Sequence, residues 1–388
     1  MKDLHPTAVN RVLADVRAVQ AKGVRTVSLM RGEPDLPTPA HVVEAAEQSL
    51  RNGRTSYPDN RGEAVLRDAV ALKLQRDNAL AYDPASEILV TTGATFGIYA
   101  ALTTLLDAGD EVLLPDPIYD AYASPIRLAG GVPVRVPCPM RQQRFELHAE
   151  AIEEQLTPRT RVLLLNTPWN PTGTVFRLDE LQAIARVVME RGLWLISDEI
   201  YEAIVYDGAK HVSPAAAEPA LRNRTILVNA LSKTYSMTGW RVGYCAAPAE
   251  VIRAMLLVLQ QSSRGPATFI QDAAAVALSG PQDAVETMRR EYTRRRDLVL
   301  DGLSGVPGCR MLVPEGGFFV MADVRGLEIS SDEVRRRLLD EHGVVVIHGA
   351  AYGACGEGTL RVSFASGGDV LRDGVGRLRA GLEAIGRA

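Results

Sequence analysis

The chain has 388 residues, with 43 Lys and Arg against 47 Asp and Glu, a formal net charge of -4, and 46% hydrophobic and 23% charged residues. That length allows a sizeable interior and about two domains, and the near-neutral balance leaves no electrostatic footprint for nucleic acid or a membrane surface. Cys138, Cys245, Cys309 and Cys355 stand far apart, with no Cys-x-x-Cys pair and no histidine at ligand spacing, so no metal site is expected and a reducing, cytoplasmic compartment fits.

Met1 to Pro6 has no apolar core of signal-peptide length, and no apolar run anywhere is long enough to cross a membrane. An amphipathic stretch over residues 9–20 leads into residues 29–39, whose proline density forbids a helix, so an extended arm is expected there. Helices over 41–52 and 63–78 flank the turn-rich loop Tyr57-Pro58-Asp59-Asn60-Arg61-Gly62. From Glu87 strands and helices alternate. Strands are predicted at 88–91, 111–114, 132–136, 161–165, 193–198, 225–230 and 244–247, and helices at 94–106, 119–128, 147–156 and 178–190. The alternation predicts an α/β fold with a mostly parallel central sheet, and strands this uniformly apolar imply helices on both faces.

Three helices, over 249–261, 266–278 and 281–303, lead into short strands at 318–323, 344–347 and 360–364, a helix over 332–341 and a terminal helix from Asp369. That is a smaller α+β unit. The predicted organisation is an N-terminal arm (1–40) that belongs to the small domain, a large domain (41–280) and a small C-terminal domain (281–388). Arg289, Arg290, Arg294, Arg295 and Arg296 alternate with Glu286, Glu291 and Asp297, and are expected on a solvated helix face rather than in a basic binding patch.

Several strand ends deliver polar groups to the edge where open α/β sheets bind ligands. Lys233 follows the strand 225–230 among small, hydroxyl and apolar neighbours. Desolvating its ammonium there would make the amine a nucleophile and base. Gly93-Ala94-Thr95, between a strand and a helix, reads either as an anion site at the helix start or as an ordinary turn; its spacing is not that of a dinucleotide fingerprint. Asn170 stands in the proline-rich loop 166–173, where two X-Pro bonds favour cis geometry. Asp198 ends an apolar strand and needs a cation or strong donor in compensation, a buried salt bridge being the plain alternative. Arg241, with Ser232, makes a good phosphate clamp, and Arg361 in the small unit suits a carboxylate unless it simply pairs with a neighbouring acid.

Together these residues resemble a family. Arg31-Gly32-Glu33-Pro34-Asp35, Tyr57 with Gly62, Gly93-Ala94-Thr95, Asp116-Pro117 with Tyr119 and Tyr122, Asn170-Pro171-Thr172-Gly173, Asp198-Glu199-Ile200-Tyr201, Ser232-Lys233 with Thr238-Gly239-Trp240-Arg241, Gly316-Gly317-Phe318-Phe319 and Arg361 occur in the order and spacing of class I/II aminotransferases. Those are pyridoxal-phosphate enzymes of the aspartate aminotransferase fold, fold type I, and the resemblance covers nearly the whole chain. It implies that Lys233 holds pyridoxal 5'-phosphate as a Schiff base and then shuttles a proton, with Asp198 pairing the pyridine nitrogen, Tyr201 the ring's 3-oxygen and Tyr122 stacking on the ring. Gly93, Ala94, Thr95, Ser232 and Arg241 would hold the phosphate, joined by Tyr57 from a second subunit, so a homodimer is implied. Arg361 would take the substrate carboxylate, helped by Asn170 and Gly32.

The implied reaction moves an amino group between an L-α-amino acid and a 2-oxo acid, pyruvate or 2-oxoglutarate. A C-S β-lyase, racemase, decarboxylating synthase or oxidase on the same site is the alternative. Thr95 stands where relatives acting on aspartate carry a lysine, which weighs against aspartate recognition of that type; members that transaminate arginine with pyruvate are also similar. A regulator with a helix-turn-helix unit in front is not expected, given how little chain precedes the core.

Overall fold

Seven strands make the central sheet: β1 (Ile88–Thr91), β2 (Glu111–Asp116), β3 (Val132–Pro137), β4 (Thr160–Asn166), β5 (Trp194–Asp198), β6 (Thr225–Ala230) and β7 (Gly243–Ala246). The coordinates are a computed structural model that describes residues 6–387; Met1 to His5, on which the reading of the N-terminus mostly falls, and Ala388 lie outside the described residues. Strand order is β1-β7-β6-β5-β4-β2-β3. β6, β5, β4, β2 and β3 run parallel, as the strand–helix alternation predicts. β7 runs antiparallel to both of its neighbours, β1 and β6.

Both faces of the sheet are dry, and the pleat sorts them. Leu89, Val228 and Cys245 join one apolar cluster, whereas Ile88, Val90, Leu227, Tyr244 and Ala246 join another on the opposite face. This explains why the strands read as continuous apolar runs rather than as alternating ones. The parallel strands end together, so Asn166 of β4 and Asp198 of β5 sit side by side in register at one edge.

A second sheet, wholly antiparallel, consists of β8 (Arg310–Leu312), β9 (Phe319–Asp323), β10 (Ile347–His348) and β11 (Thr359–Ser363) in the order β8-β9-β11-β10. The single strand expected over 344–347 is split. Val344–Val345 pairs in parallel with Val27–Ser28 of the arm, and only Ile347–His348 joins the four-stranded sheet. The cause is a partner more than 300 residues away in the chain, which local periodicity cannot register.

One further expectation is corrected. Arg295 and Arg296, placed on a solvated face by charge alternation, are 4% and 5% exposed. Arg295 bonds Asp35 and the carbonyl of Ala365, and Arg296 bonds Asp207, so distant acceptors draw both guanidinium groups inward. A hairpin, Met140–Arg141 with Arg144–Phe145, was also missed. Its two-residue turn places Gln142 and Gln143 at φ +45° and +68°, positions that glycine and asparagine usually advertise and glutamine does not. Cis bonds occur at Thr167-Pro168 and Asn170-Pro171, and also at Asp116-Pro117. Among the described residues no helix is long and apolar enough to cross a membrane, and all four cysteines are free.

Candidate active site

A cavity of about 690 Å³ opens at the C-terminal edge of β4, β5 and β6, walled on the far side by β9, β11 and the arm. Lys233 reaches it from a four-residue helix, Leu231–Thr234, that starts where β6 stops. Its Nζ donates to the carbonyl of Gly32 at 2.7 Å. Burial lowers the amine's pKa from 10.5 to about 8, with Glu33 and Asp198 opposing that shift, so the neutral amine becomes accessible just above neutral pH.

Asp198, 5% exposed, accepts hydrogen bonds from the Tyr122 hydroxyl at 2.6 Å and the Ile200 amide at 3.2 Å. It makes no ion pair among the described residues, which removes the plain alternative of a structural salt bridge. Burial raises its pKa to about 6 despite those two donors. A cationic partner in the cavity would offset that cost. Tyr201 packs edge-on against Phe318 and Phe319, and burial pushes its phenol well above the usual range.

The anion cradle is built from backbone. Gly93 takes φ +87° and ψ 167°, a conformation that side-chain-bearing residues rarely adopt, and its position caps the helix Ala94–Leu105. A Cβ there would lie 2.8 Å from Nη2 of Arg241, so the guanidinium occupies the space that the missing side chain leaves. Ala94 and Thr95 form the first helical turn, whose amide groups have no partner within the helix. Both line the cavity with Ser232 and Arg241. Arg241 has no carboxylate partner among the described residues.

Arg361, on β11, is 2% exposed and also lacks a carboxylate partner among the described residues. Nη1 donates to Asn170 Oδ1 at 3.1 Å and Nη2 to the Met30 carbonyl at 2.7 Å, while Nε is buried with no partner. The guanidinium lies over the rings of Phe319 at 4.1 Å and Tyr352 at 4.9 Å. Asn170 is held in turn, since its amide donates to Asn166 Oδ1 at 2.8 Å.

The predicted residues thus converge on one space, with two qualifications. Gly93 shapes the cradle without lining the cavity, and Tyr57 stands apart, 84% exposed with Arg264 over its ring at 5.4 Å. The Tyr122–Asp198 bond was not foreseen, nor was the wall contributed by Asn10 and Leu13 of the helix Ala8–Ala21 and by Thr7, which caps it. An amphipathic period says that a helix has a buried face, but not which site that face closes.

A desolvated lysine at a strand end beside an anion cradle, with a buried carboxylate and a buried guanidinium opposite, is the equipment of a fold type I pyridoxal-phosphate enzyme. A family model for aminotransferase class I and II matches residues 25–373. An aspartate/prephenate aminotransferase of Cereibacter sphaeroides is 39% identical over 97% of this chain and 96% of its own length. An arginine–pyruvate transaminase of Pseudomonas aeruginosa is 39% identical over 100% of this chain and 95% of its own length. The solved aspartate aminotransferase of Rhizobium meliloti superposes with a TM-score of 0.95 at 36% identity, over 98% of this chain and 97% of that one. The chain belongs to the class I and II aminotransferases, which are pyridoxal-phosphate-dependent transaminases. The residues present fit the cofactor: the positive φ of Gly93 disfavours any side chain in the cradle, and the unpaired Arg241 beside it suits a phosphate.

Proposed function

We propose that this chain transaminates an L-α-amino acid against pyruvate or 2-oxoglutarate, and that the buried, carboxylate-free guanidinium of Arg361 receives the α-carboxylate of each substrate in turn. That guanidinium carries the reading. A charge so deeply buried without a counter-ion is costly unless an anionic ligand completes it, and a fork geometry pairs a carboxylate bidentately. Asn170 and Gly32 assist it.

Bound pyridoxal phosphate supplies the electron sink that makes the Cα proton of an amino acid labile. Lys233 would anchor the cofactor covalently, and its amine, with a pKa near 8, would be suited to take up and give back a proton at Nζ. Asp198 would pair with the cofactor's ring nitrogen, Tyr122, which holds that carboxylate in place, would stack on the ring, and Tyr201 would serve the ring's 3-oxygen. Gly93, Ala94, Thr95, Ser232 and Arg241 hold the phosphate. Replacing Gly93 by alanine combines an unfavourable φ with a clash at Arg241. A strain of about 1–3 kcal/mol weakens cofactor binding roughly 10- to 100-fold, measurable by titrating the apo-protein with pyridoxal phosphate.

Tyr57 is exposed in the single chain, which suits a role in a homodimer where its hydroxyl reaches the partner's phosphate. Tyr57→Phe is then expected to weaken cofactor binding about tenfold, the worth of one hydrogen bond to a charged group, with dimer mass unchanged in sedimentation. An unaltered affinity would remove Tyr57 from the site. The working units are a large domain (41–280) and a small one (281–388) completed by the arm (1–40), in a cytoplasmic enzyme.

Thr95 has no charge to offer a distal carboxylate. Aspartate would need another receptor, and arginine, the donor of the Pseudomonas aeruginosa relative, is a second option. The experiment is a panel of amino-acid donors against pyruvate and 2-oxoglutarate. Product that depends strictly on the second oxo acid supports transamination; product without it means a lyase, racemase, decarboxylating synthase or oxidase.

A further inference from the structure

The stretch from Asp198 to Glu202 has two faces. Asp198 and Tyr201 line the active cavity, whereas Glu202 faces a second cavity, of about 450 Å³, behind it. Both cavities touch the turn that carries Lys233, for Leu231, Thr234 and Tyr235 line the rear one. Glu202 is fully engaged there. Its Oε1 accepts from the amide of Asn229 at 2.6 Å and from the Lys73 ammonium, and its Oε2 accepts from Asn78 at 2.7 Å. Lys73 also donates to Asn78 Oδ1 at 2.7 Å. Asn229 passes the connection on, since its Oδ1 accepts from the amide of Ala230 at 2.7 Å, and Ala230 is the residue on which the Lys233 turn begins. Lys73, Asn78 and Asn229 are 6%, 6% and 3% exposed.

We propose that Glu202, clamped by the buried ammonium of Lys73, is a positioning residue that locks the Asp198–Tyr201 stretch and the Lys233 turn into one frame. The proposal rests on Asp198 and Lys233 acting on the same cofactor, as assigned above. A carboxylate on one strand end and an amine on the next must meet a single planar ring, and misplacement of about 1 Å is enough to slow such chemistry roughly 100-fold. Glu202 stands four residues past Asp198, and Asn229 four before Lys233, so the bridge between them spans a short base. Burial favours a protonated Glu202, but Lys73, His211 and the hydrogen bonds from Asn78 and Lys73 outweigh it and hold the carboxyl below its ordinary pKa. The Glu202 carboxylate is therefore ionised near neutral pH.

Glu199, Glu202 and His211 also bring ligand-type atoms within 4.8 Å of one another, the spacing of a metal centre. Lys73 already supplies the cation that Glu202 needs, and Glu199 is satisfied by Ser197, Ser213 and His211. The ion pair, rather than a metal, is what the geometry supports.

The test compares holoenzyme with Glu202→Gln, which leaves Lys73 unpaired, and with Lys73→Met/Glu202→Leu, which removes both charges together and avoids an isolated buried ion. Lys73→Arg keeps the ion pair. In the double variant, dimer mass is expected to stay at the wild-type value, while the melting temperature falls, because the buried amides of Asn78 and Asn229 lose their acceptor; the kinetic and spectroscopic changes are therefore read at temperatures where the variant is fully folded. Its kcat should fall roughly 10- to 100-fold with little change in KM, and the pH midpoint of the bound cofactor's absorption band should move by about one unit. Lys73→Arg should recover most of both. A double variant with wild-type kcat and a wild-type absorption titration would show the cluster to be scaffolding only and overturn the proposal. So would zinc that raises the melting temperature and kcat of the wild type, reversed by chelation, since the cluster would then be a metal site. Wild-type protein that develops no cofactor band at all would instead overturn the active-site assignment on which the proposal stands.

Discussion

Lys233→Met is expected to abolish transamination and, in the cofactor-free protein at pH 7, to raise stability. The loss of activity, roughly 10⁴-fold or more in kcat, follows from the proposed roles of Lys233 as covalent anchor and proton carrier, both removed in one change. Borohydride should then trap no cofactor on the protein, while pyridoxal phosphate still binds through the cradle. The gain has a separate cause. Burial holds the ammonium's pKa near 8 rather than 10.5, so keeping it charged at pH 7 costs on the order of 2–3 kcal/mol. Methionine fills the same space without a charge, and the lost bond to the Gly32 carbonyl returns about 1 kcal/mol of that gain. The folded pKa is the lower one, so the penalty is complete below pH 8 and fades as the pH rises from there to 10.5. The variant's advantage in calorimetry should therefore close over that window. A variant less stable than wild type at pH 7 would mean that the amine is not desolvated.

Lys233, Asp198 and Arg361 were legible in the sequence for a shared reason. Each is a charged residue at or within an apolar strand, where burial without employment is costly, and the strand–helix alternation puts two of them on one sheet edge. Gly93 was legible as a strand-to-helix turn, but its dependence on Arg241 was not, because that contact joins residues almost 150 positions apart. The same distance problem hid the burial of Arg295 and Arg296, whose acceptors lie on the arm and on loops. It also hid the splitting of the strand near Val345 by the arm. Tyr57 is a different case: nothing in one chain gives an exposed tyrosine a role, and only the family resemblance did so. Glu202 and Asn229 went unread because a buried carboxylate paired with a buried lysine leaves the pattern of neither helix nor strand disturbed.

Asp198→Asn is expected to leave the fold intact and lower kcat roughly 10³-fold, the usual cost of removing one preorganised electrostatic contact to a developing charge. The amide oxygen can still accept from the Ile200 amide, and the new NH2 group can donate to the Tyr122 hydroxyl oxygen, so position is largely kept while the charge is lost. KM should change little, because in the proposed arrangement Arg361 and not Asp198 receives the substrate carboxylate. Here too the apo-protein should gain. Burial raises the carboxyl's pKa from 3.8 to about 6, so its ionised form is penalised above pH 6, and the penalty vanishes below about pH 4. The melting advantage of the asparagine variant should thus be present at pH 7 and absent at pH 4, opposite in direction along the pH axis to that of Lys233→Met. Wild-type apo-enzyme keeps a buried amine and a buried carboxylate that each destabilise it near neutrality, and in the proposed arrangement the cofactor meets both. Pyridoxal phosphate should accordingly raise the melting temperature of the wild type by more than that of either variant. Equal increments in all three proteins would show that the two groups are not completed by the cofactor.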